Sequence, residues 1–356
     1  MVFVALKEML MSKVYYCRVN SKTPAETIQD ITRKLLDRIV TEEALELEPK
    51  IPLKVHFGEK GNSTFLGSEN YLGIIEALGE KGIETCYMET SVMYGGQRYR
   101  RDLHLKTAAE HGFDQIPIII ADGEQGESFT EVEIDKKNFK TCKIGREFLN
   151  FNQLIVLSHF KGHFLAGYGG AIKQLSMGHA SKGGKLAMHM GIKPRIKSRK
   201  CQKCELCMSR CNEKAITIGT KSFIDHEKCV GCGACVAICP VKAISIFSIK
   251  GILKAATQGK KFREKLAEYA YAAQMGKKNI YFNFAMNITR GCDCEPRKMK
   301  PVIQDFGIFV STDPVAIDKA CLDMAKEIGK RFRGGDQLIY AEKLGLGSTR
   351  YTLLEV

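Results

Sequence analysis

Apolar, β-rich runs recur along the chain at Ile51 to Phe57, Ile83 to Met88, Ile116 to Ala121, Leu154 to Ser158, Ile280 to Asn287 and Phe306 to Val310. Ser12-Lys13-Val14-Tyr15-Tyr16 reads as a first strand ahead of them. Between several runs the period changes to that of a helix. Thr23-Pro24-Ala25-Glu26 offers a cap, a proline at the first helical position and a capping-box glutamate, followed by Ile28, Ile31, Leu35, Leu36 and Ile39. Asp313 and Pro314 open another helix, with Asp313 as its N-cap and Ile317, Ala320, Cys321 and Met324 at helical spacing. Lys261 to Met275 carries Phe262, Leu266, Tyr269 and Ala273 on one helical face. The more polar, alternating stretch Glu127 to Ile144 predicts a hairpin or edge excursion. Strands alternating with helices predict an α/β fold, a mostly parallel sheet with flanking helices.

Composition adds two facts to that pattern. The 356 residues include 14 cysteines, and 54 basic against 40 acidic residues leave a net charge of +14. The length suits one large or two medium domains, and no apolar run approaches the roughly 18 residues of a membrane span. The amino terminus lacks a basic leader and a small-residue cleavage site, so the expected location is the cytoplasm. Met11, just ahead of the first strand, makes the ten residues before it readable as an upstream-start artefact. In a reducing compartment cysteines serve as metal ligands, nucleophiles or buried apolar groups rather than as disulfides.

Their spacing separates these roles. Cys201, Cys204, Cys207 and Cys211 follow C-x2-C-x2-C-x3-C, and Cys229, Cys232, Cys235 and Cys239 repeat it 28 positions later. Ala215-Ile216-Thr217-Ile218 recurs as Ala243-Ile244-Ser245-Ile246 at the same offset, so the duplicated unit is cysteine loop, turn and strand. Three closely spaced thiolates can wrap three corners of a cubane, and the fourth must come from elsewhere. Structural zinc is the competing reading, but a zinc site uses four ligands, and two complete runs favour two 4Fe-4S clusters. The runs resemble those of bacterial two-cluster ferredoxins, whose signature they are. That resemblance implies crossed ligand sets, Cys201, Cys204 and Cys207 with Cys239, and Cys229, Cys232 and Cys235 with Cys211. Pro240 follows the last ligand as the pattern expects, whereas Asn212 stands where the first run would have its proline. Gly231, Gly233 and Ala234 keep the second loop slim enough for backbone amides to approach cluster sulfides. The chain therefore divides into an α/β segment 1–197, a small ferredoxin-type (α+β) insert 198–248 and an α/β segment 249–356, the flanks packing into one body.

In an open α/β sheet, ligands bind beyond the carboxyl ends of the strands. Residues there are His56 to Asn62, Glu89 to Ser91, Asp122-Gly123, Ser158 to His163, Gly167 to Lys173, Asn287 to Cys294 and Ser311 to Pro314. The candidate catalytic residues are His159, Lys161, His163, Cys292 and Cys294. Gly162 and the adjoining strand argue against a helix that would set His159 and His163 on one metal, and each also reads as a core or surface histidine. His179 and His189 either join the site or lie in a solvated Gly-rich loop from Met177 to Gly191. Cys292-Asp293-Cys294 leaves no room for a cubane wrap. It reads as a grip on an additional metal, a redox-active pair or a third small site, against the plain reading of two half-buried thiols; Arg290, Arg297 and Lys298 supply charge nearby. Cys17, Cys86, Cys142 and Cys321 read as structural. Asp318 points either outward or to the site. Gly167, Gly169 and Gly170 ahead of a helix resemble a phosphate nest but match no established nucleotide pattern. The C-x3-C-x2-C signature of radical enzymes is missing.

Lys54-Val55-His56-Phe57-Gly58, the segments from His159 to His163 and on to Met177-Gly178, Gly291 to Glu295, and Ser311 to Asp318 resemble the family called Domain of Unknown Function 362, over roughly residues 51 to 330. Members commonly carry a two-cluster ferredoxin unit, so the resemblance implies an anaerobe-type iron–sulfur protein and no particular reaction. The basic excess gathers at Lys193, Arg195, Lys197, Arg199, Lys200 and Lys203, with Lys277, Lys278, Arg297, Lys298 and Lys300 later. Aromatic interleaving and nucleic-acid motifs are missing, which disfavours nucleic acid. An acidic electron carrier or redox enzyme, or an anionic small-molecule substrate, fits such charge better. The expected function is relay of low-potential electrons through two 4Fe-4S clusters to a site in the α/β part, a ferredoxin-coupled oxidoreductase. The alternatives are a non-catalytic electron-transfer adaptor and a metal-handling or maturation factor using Cys292 and Cys294.

Overall fold

The structure, a computed structural model, describes residues 11–189, 194–211, 214–229, 235, 238–245 and 259–356. Residues 1–10, Asn212, Cys232 and its neighbours Gly231, Gly233 and Ala234 lie outside the described residues, so the upstream-start reading and those positions are not addressed by it. The main sheet is built from β1 (Ser12–Cys17), β2 (Leu53–Lys54), β3 (Tyr87–Glu89), β4 (Ile118–Ile120), β7 (Ile155–His159), β14 (Ile280–Ala285), β15 (Gly307–Ser311) and β16 (Tyr351–Glu355), in the order β16-β1-β15-β14-β7-β2-β3-β4. Every strand but β15 runs the same way; β15 is antiparallel to both β1 and β14. The expected hairpin is β5 (Phe129–Glu133) against β6 (Thr141–Gly145), and a second joins β8 (Lys161–His163) to β9 (Gly167–Gly169).

The sheet is covered on both faces, and the two-residue side-chain period divides its strands between two cores. On β14, Ile280, Phe282 and Phe284 enter one core while Tyr281 and Ala285 enter the other; on β1, Tyr15 and Cys17 oppose Val14 and Tyr16. The first core is closed by α1 (Ala25–Glu42), α2 (Leu72–Glu80) and α3 (Arg101–Glu110). The second is closed by α4 (Ala171–His179), α5 (Lys182–His189), α6 (Gly259–Gln274), α7 (Pro314–Glu327) and α8 (Asp336–Lys343). Strands from 12–159 and from 280–355 interleave in this one sheet. Among the described residues no helix is long and apolar enough to cross a membrane.

Local chemistry at the helix starts departs from expectation at one end and agrees at another. Pro24 is the N-cap of α1 and no side chain caps it, because the Thr23 hydroxyl accepts from the Asn20 N–H (3.0 Å) and closes the preceding turn instead. The capping box expected of Thr23 and Glu26 is therefore not formed. Asp313 does cap α7, its Oδ1 accepting from Val315 (2.8 Å) and Ala316 (2.9 Å) N–H groups. The stretch from Met177 is no solvated loop, since α4 runs through it to His179 and α5 follows with Lys182 to Leu186 buried.

Asp318 points neither outward nor into a site. Its carboxylate accepts from the Ala171 (2.7 Å) and Ile172 (3.1 Å) N–H groups at the start of α4, from Asn283 Nδ2 (2.8 Å) and from the Tyr168 hydroxyl (3.3 Å). Burial pulls its pKa up to about 6 against those hydrogen bonds. The glycine nest ahead of α4 is thus filled from within the protein, and a Cβ on Gly170 would overlap Asp318 Oδ1.

The cysteine repeat forms a small core of its own from Cys207, Ala215, Ile216, Ile224, Cys235 and Ile244. Its strands β10 (Arg195–Ile196), β11 (Ile216–Thr217), β12 (Phe223–Ile224) and β13 (Ile244–Ser245) pair crosswise: Arg195↔Ser245 and Ile196↔Ile244, then Ile216↔Ile224 and Thr217↔Phe223. Moving the residue from the first copy 28 positions on and its partner 28 positions back turns one ladder into the other, Ile196↔Ile244 into Ile224↔Ile216, which is a local pseudo-two-fold axis.

Asp318→Ala leaves two helix-start N–H groups, an amide and a hydroxyl buried without an acceptor. We expect about 3 kcal/mol of lost stability, read as a lower urea midpoint with an unchanged slope. A loss below about 1 kcal/mol would contradict this role.

Candidate functional site

Because β2, β3, β4, β7 and β14 are parallel, their carboxyl ends lie along one edge of the sheet. The segments leaving them bring together His56, Glu89 to Ser91, Asp122, His159 to His163 and Asn287 to Cys294. Ser311 to Pro314 does not join them. Tyr281 pairs with Ser311 and Ala285 with Gly307, so reversed β15 ends at the opposite edge, where Asp313 accepts from Ser12 Oγ at 2.6 Å.

A cavity of about 290 Å³ opens at the shared edge. Its polar wall comes from His56, Arg98, Lys173 on α4, Lys185 and His189 on α5, His163 at the end of β8, and Cys292 and Cys294; Val92, Met93 and Met177 supply apolar wall. Of the residues expected from sequence, His163, Cys292 and Cys294 therefore line the cavity and His159 and Lys161 do not.

These last two hold the cysteine turn from beneath. Asp293 is buried and faces away from the cavity, with His159 Nδ1 3.0 Å from its Oδ2 and the Lys161 ammonium paired to the same oxygen. His159 Nε2–H donates to the Met286 carbonyl at 2.7 Å. Burial pulls the Asp293 carboxyl up, but Lys161 and His159 outweigh it and hold its pKa well below the ordinary carboxylate range. Gly162 lets this layer close: its N–H donates to the Thr289 carbonyl at 2.8 Å, and a Cβ there would stand 2.6 Å from the Arg290 carbonyl.

On the cavity side, Cys292 Sγ accepts from the Cys294 N–H (3.4 Å) and from Lys173 Nζ (3.5 Å). The Cys294 thiol, Lys173 and His163 outweigh burial and hold the Cys292 thiol well below its ordinary range, while Cys292 and burial push Cys294 up. Burial pulls Lys173 down, yet the two cysteines and Asp293 keep its pKa raised. His163 Nδ1 accepts from the Leu165 (3.3 Å) and Ala166 (3.0 Å) N–H groups, so its proton sits on Nε2. His189 Nδ1–H donates to the Lys185 carbonyl (3.0 Å), leaving Nε2 as a lone pair, and burial pulls its pKa down to about 4. His179, by contrast, is a core histidine stacked on Phe148 with centroids 4.1 Å apart.

From buried Lys54 a chain of buried charges runs into the cavity wall. Fully buried Lys54 donates to Glu89 Oε1 (2.9 Å) and to the Val55 carbonyl (2.6 Å). Glu89 Oε2 lies 3.7 Å from Arg98 Nη1, and Arg98 Nη2 donates to the Tyr94 hydroxyl (3.0 Å), which donates to the Cys294 carbonyl (2.9 Å). Arg98 Nε, 3.4 Å from Glu59 Oε2, makes no hydrogen bond. Lys185 donates to Thr90 Oγ1 (2.5 Å) and the Ser91 carbonyl (2.6 Å), and burial pulls its pKa down to about 8; burial pushes Asp122 up to about 6.

Tyr94 and Arg98 lie between elements and Lys185 on the Gly-rich α5, in stretches with no motif to single them out. Lys54 carried a signal, a lysine within an apolar strand run, which implies a buried partner. Cys17, Cys86, Cys142 and Cys321 are buried free thiols, as expected of structural cysteines. Among the described residues no three His, Cys, Asp or Glu side chains converge to hold a metal ion.

A lowered thiol pKa predicts pH-insensitive alkylation. Between pH 6 and 8 an ordinary thiol gains about 100-fold in rate with iodoacetamide, whereas Cys292 should change less than about 3-fold. Quantifying the tryptic peptide 291–297 from wild type and Cys292→Ser checks this; a full rise with pH in wild type would refute it.

A family model described as a domain of unknown function, DUF362, matches residues 51–323. No curated protein matches the chain. Among solved structures, a protein from Thermotoga maritima aligns at 12% identity over 87% of this chain and 61% of its own, with a TM-score of 0.43. The lactate racemase apoprotein from Thermoanaerobacterium thermosaccharolyticum aligns at 12% identity over 90% of this chain and 58% of its own, also at 0.43. The chain spans about three fifths of the length of these two proteins. The family match runs from just before β2 into α7, cavity and cysteine repeat included, and the chain belongs to the DUF362 family.

Proposed function

We propose that the protein is an iron–sulfur electron-transfer protein that relays low-potential electrons through two 4Fe-4S clusters to the cavity at the sheet edge, as a ferredoxin-coupled oxidoreductase. The observation that carries this reading is the crossing of the two cysteine runs. Burial and the neighbouring Cys239, Cys201 and Cys204 push the Cys207 thiol up, so a cysteine of the second run stands within electrostatic reach of Cys207 in the first. The crossed ladders supply the backbone reason, since each run's strand is held by a strand from the other half. The Ala215 N–H donates to Cys211 Sγ and the Ala243 N–H to Cys239 Sγ, both at 3.2 Å, related by the repeat. Such N–H···S bonds are a lever on cluster potential.

In this reading Cys201, Cys204, Cys207 and Cys239 hold one cluster, and Cys229, Cys232, Cys235 and Cys211 the other. The donors are thiols throughout, as this cofactor requires, and the groups supply one-electron chemistry when bound. No disulfide is formed among the described cysteines. The unit is tethered to the cavity at both ends. Five residues separate His189 from Arg195, a reach of at most about 21 Å. On the return, Phe262 of α6 packs on His189 with ring centroids 5.0 Å apart. The cavity favours an enzyme over a docking adaptor. Exposed Arg195, Lys197, Arg199, Lys200 and Lys203 form a basic rim on the unit for an acidic electron carrier or redox enzyme. Lys277 is not part of that rim, because it donates to the Phe148 and Phe151 carbonyls.

Anaerobically prepared protein should contain about eight irons and eight sulfides per chain. Cys239→Ser and Cys211→Ser should each remove about four irons, from different clusters, leaving distinguishable EPR signals in the reduced proteins. Fewer than about four irons in fresh wild type, or zinc in their place, would overturn the reading.

A further inference from the structure

We propose that Cys292 and Cys294 form a reversible dithiol–disulfide couple that reduces a small, carboxylate-bearing disulfide bound in the cavity. The inference rests on the proposed function for its electron source, and on the geometry of the cavity for the rest.

The cysteine turn is built to present two sulfurs together. The Glu295 N–H donates to the Cys292 carbonyl (2.9 Å) and Glu295 Oε1 accepts from the Cys292 N–H (3.1 Å), closing a tight turn over 292–295. Asp293 between the cysteines is anchored on the opposite side by Lys161 and His159, which leaves both sulfurs facing the cavity. Cα atoms two residues apart are separated by at most about 7 Å, and a disulfide spans about 4.4 to 6.8 Å. The bond can therefore close by side-chain rotation within the turn, with the sheet unmoved.

The two sulfurs are chemically unequal. Cys292 Sγ receives the Cys294 N–H and the Lys173 ammonium, and His163 turns its Nε2–H side to it, so Cys292 is the attacking thiolate and Cys294 the resolving thiol. About 290 Å³ is roughly twice the engineered cavity that holds benzene, room for a small molecule. Lys185 and Arg98, the latter ion-paired with Glu59 and Glu89 behind it, line the cavity as cations for carboxylates, and Met93 and Met177 supply apolar contact.

The cycle balances. The Cys292 thiolate attacks one sulfur of the substrate disulfide; that S–S bond breaks, a mixed disulfide forms, and the first substrate thiolate leaves and takes a proton. Cys294, losing its proton, attacks Cys292 Sγ, which forms the Cys292–Cys294 bond and releases the second thiolate to be protonated. Two electrons from a low-potential one-electron donor, delivered singly, and one proton restore the starting thiolate and thiol, the other proton of the sum having been taken up in the first half. The sum is one disulfide, two electrons and two protons giving two thiols.

The test uses the whole protein, reduced, freed of reductant and mixed anaerobically with 3,3′-dithiodipropionate. We expect two equivalents of thiol per chain and a tryptic peptide 291–297 that has lost two hydrogens and resists alkylation. Cys294→Ser should stop at the mixed disulfide and release one equivalent, and Cys292→Ser should release none from this peptide. Uncharged bis(2-hydroxyethyl) disulfide should react on the order of tenfold more slowly. Equal rates for the two probes would overturn the carboxylate preference. Wild-type peptide that stays fully alkylatable across all dithiothreitol redox poises would overturn the couple without reference to any variant. A chain with its full iron and an inert peptide refutes this inference alone, whereas a reactive peptide in a chain that never binds iron refutes the relay alone.

Discussion

A charge with no exposure must be met by an opposite charge, and at this sheet edge that rule ties the site together. Lys54 sits in the middle of an apolar strand, where an unpaired ammonium would cost several kcal/mol. Glu89 meets it, Arg98 stands beyond Glu89, Tyr94 accepts from Arg98, and the Cys294 carbonyl accepts from Tyr94. The position of the Cys294 backbone is thus referred back through four side chains to the strand that carries Lys54. Asp293 repeats the device from the other side through Lys161 and His159. The turn between these two networks is held from both flanks, and a local change in either reaches the sulfurs.

Much of the fold was legible from sequence because the signals were periodic and local. The apolar runs became strands, and the hairpin, α6 and the capped start of α7 formed where their patterns put them. The misreadings are long-range. Ser311 to Pro314 looked like another site loop because a run of apolar residues carries no sign of direction, and only pairing with β1 and β14 reverses β15. The glycines at 167 to 170 looked like a cradle for an external anion. Their anion is Asp318, 148 positions beyond Gly170, which no local pattern announces.

The candidate site divides in the same way. Cys292, Cys294 and His163 were visible as reactive residues beyond strand ends, and they do face the cavity. His159 and Lys161 share that segment, but their pairing with Asp293 holds them beneath it. Arg98 and Lys185 were invisible because a cation in a connecting segment or on a Gly-rich helix resembles a solvated one until its burial is known. The sequence pattern thus identifies the chemistry of the wall better than its electrostatic frame.

The crossed ladders of the cysteine repeat carry a consequence for ancestry. In neither copy do the two strands pair with each other; each strand finds its partner in the other copy. A single 28-residue ancestor could have completed the same ladders only as two associated chains. Duplication in tandem turned that association into an intramolecular one and replaced a dependence on protein concentration by the effective concentration of a short tether. After that step the two copies were free to diverge, and the proline now present after Cys239 but replaced by asparagine after Cys211 is what such divergence leaves behind.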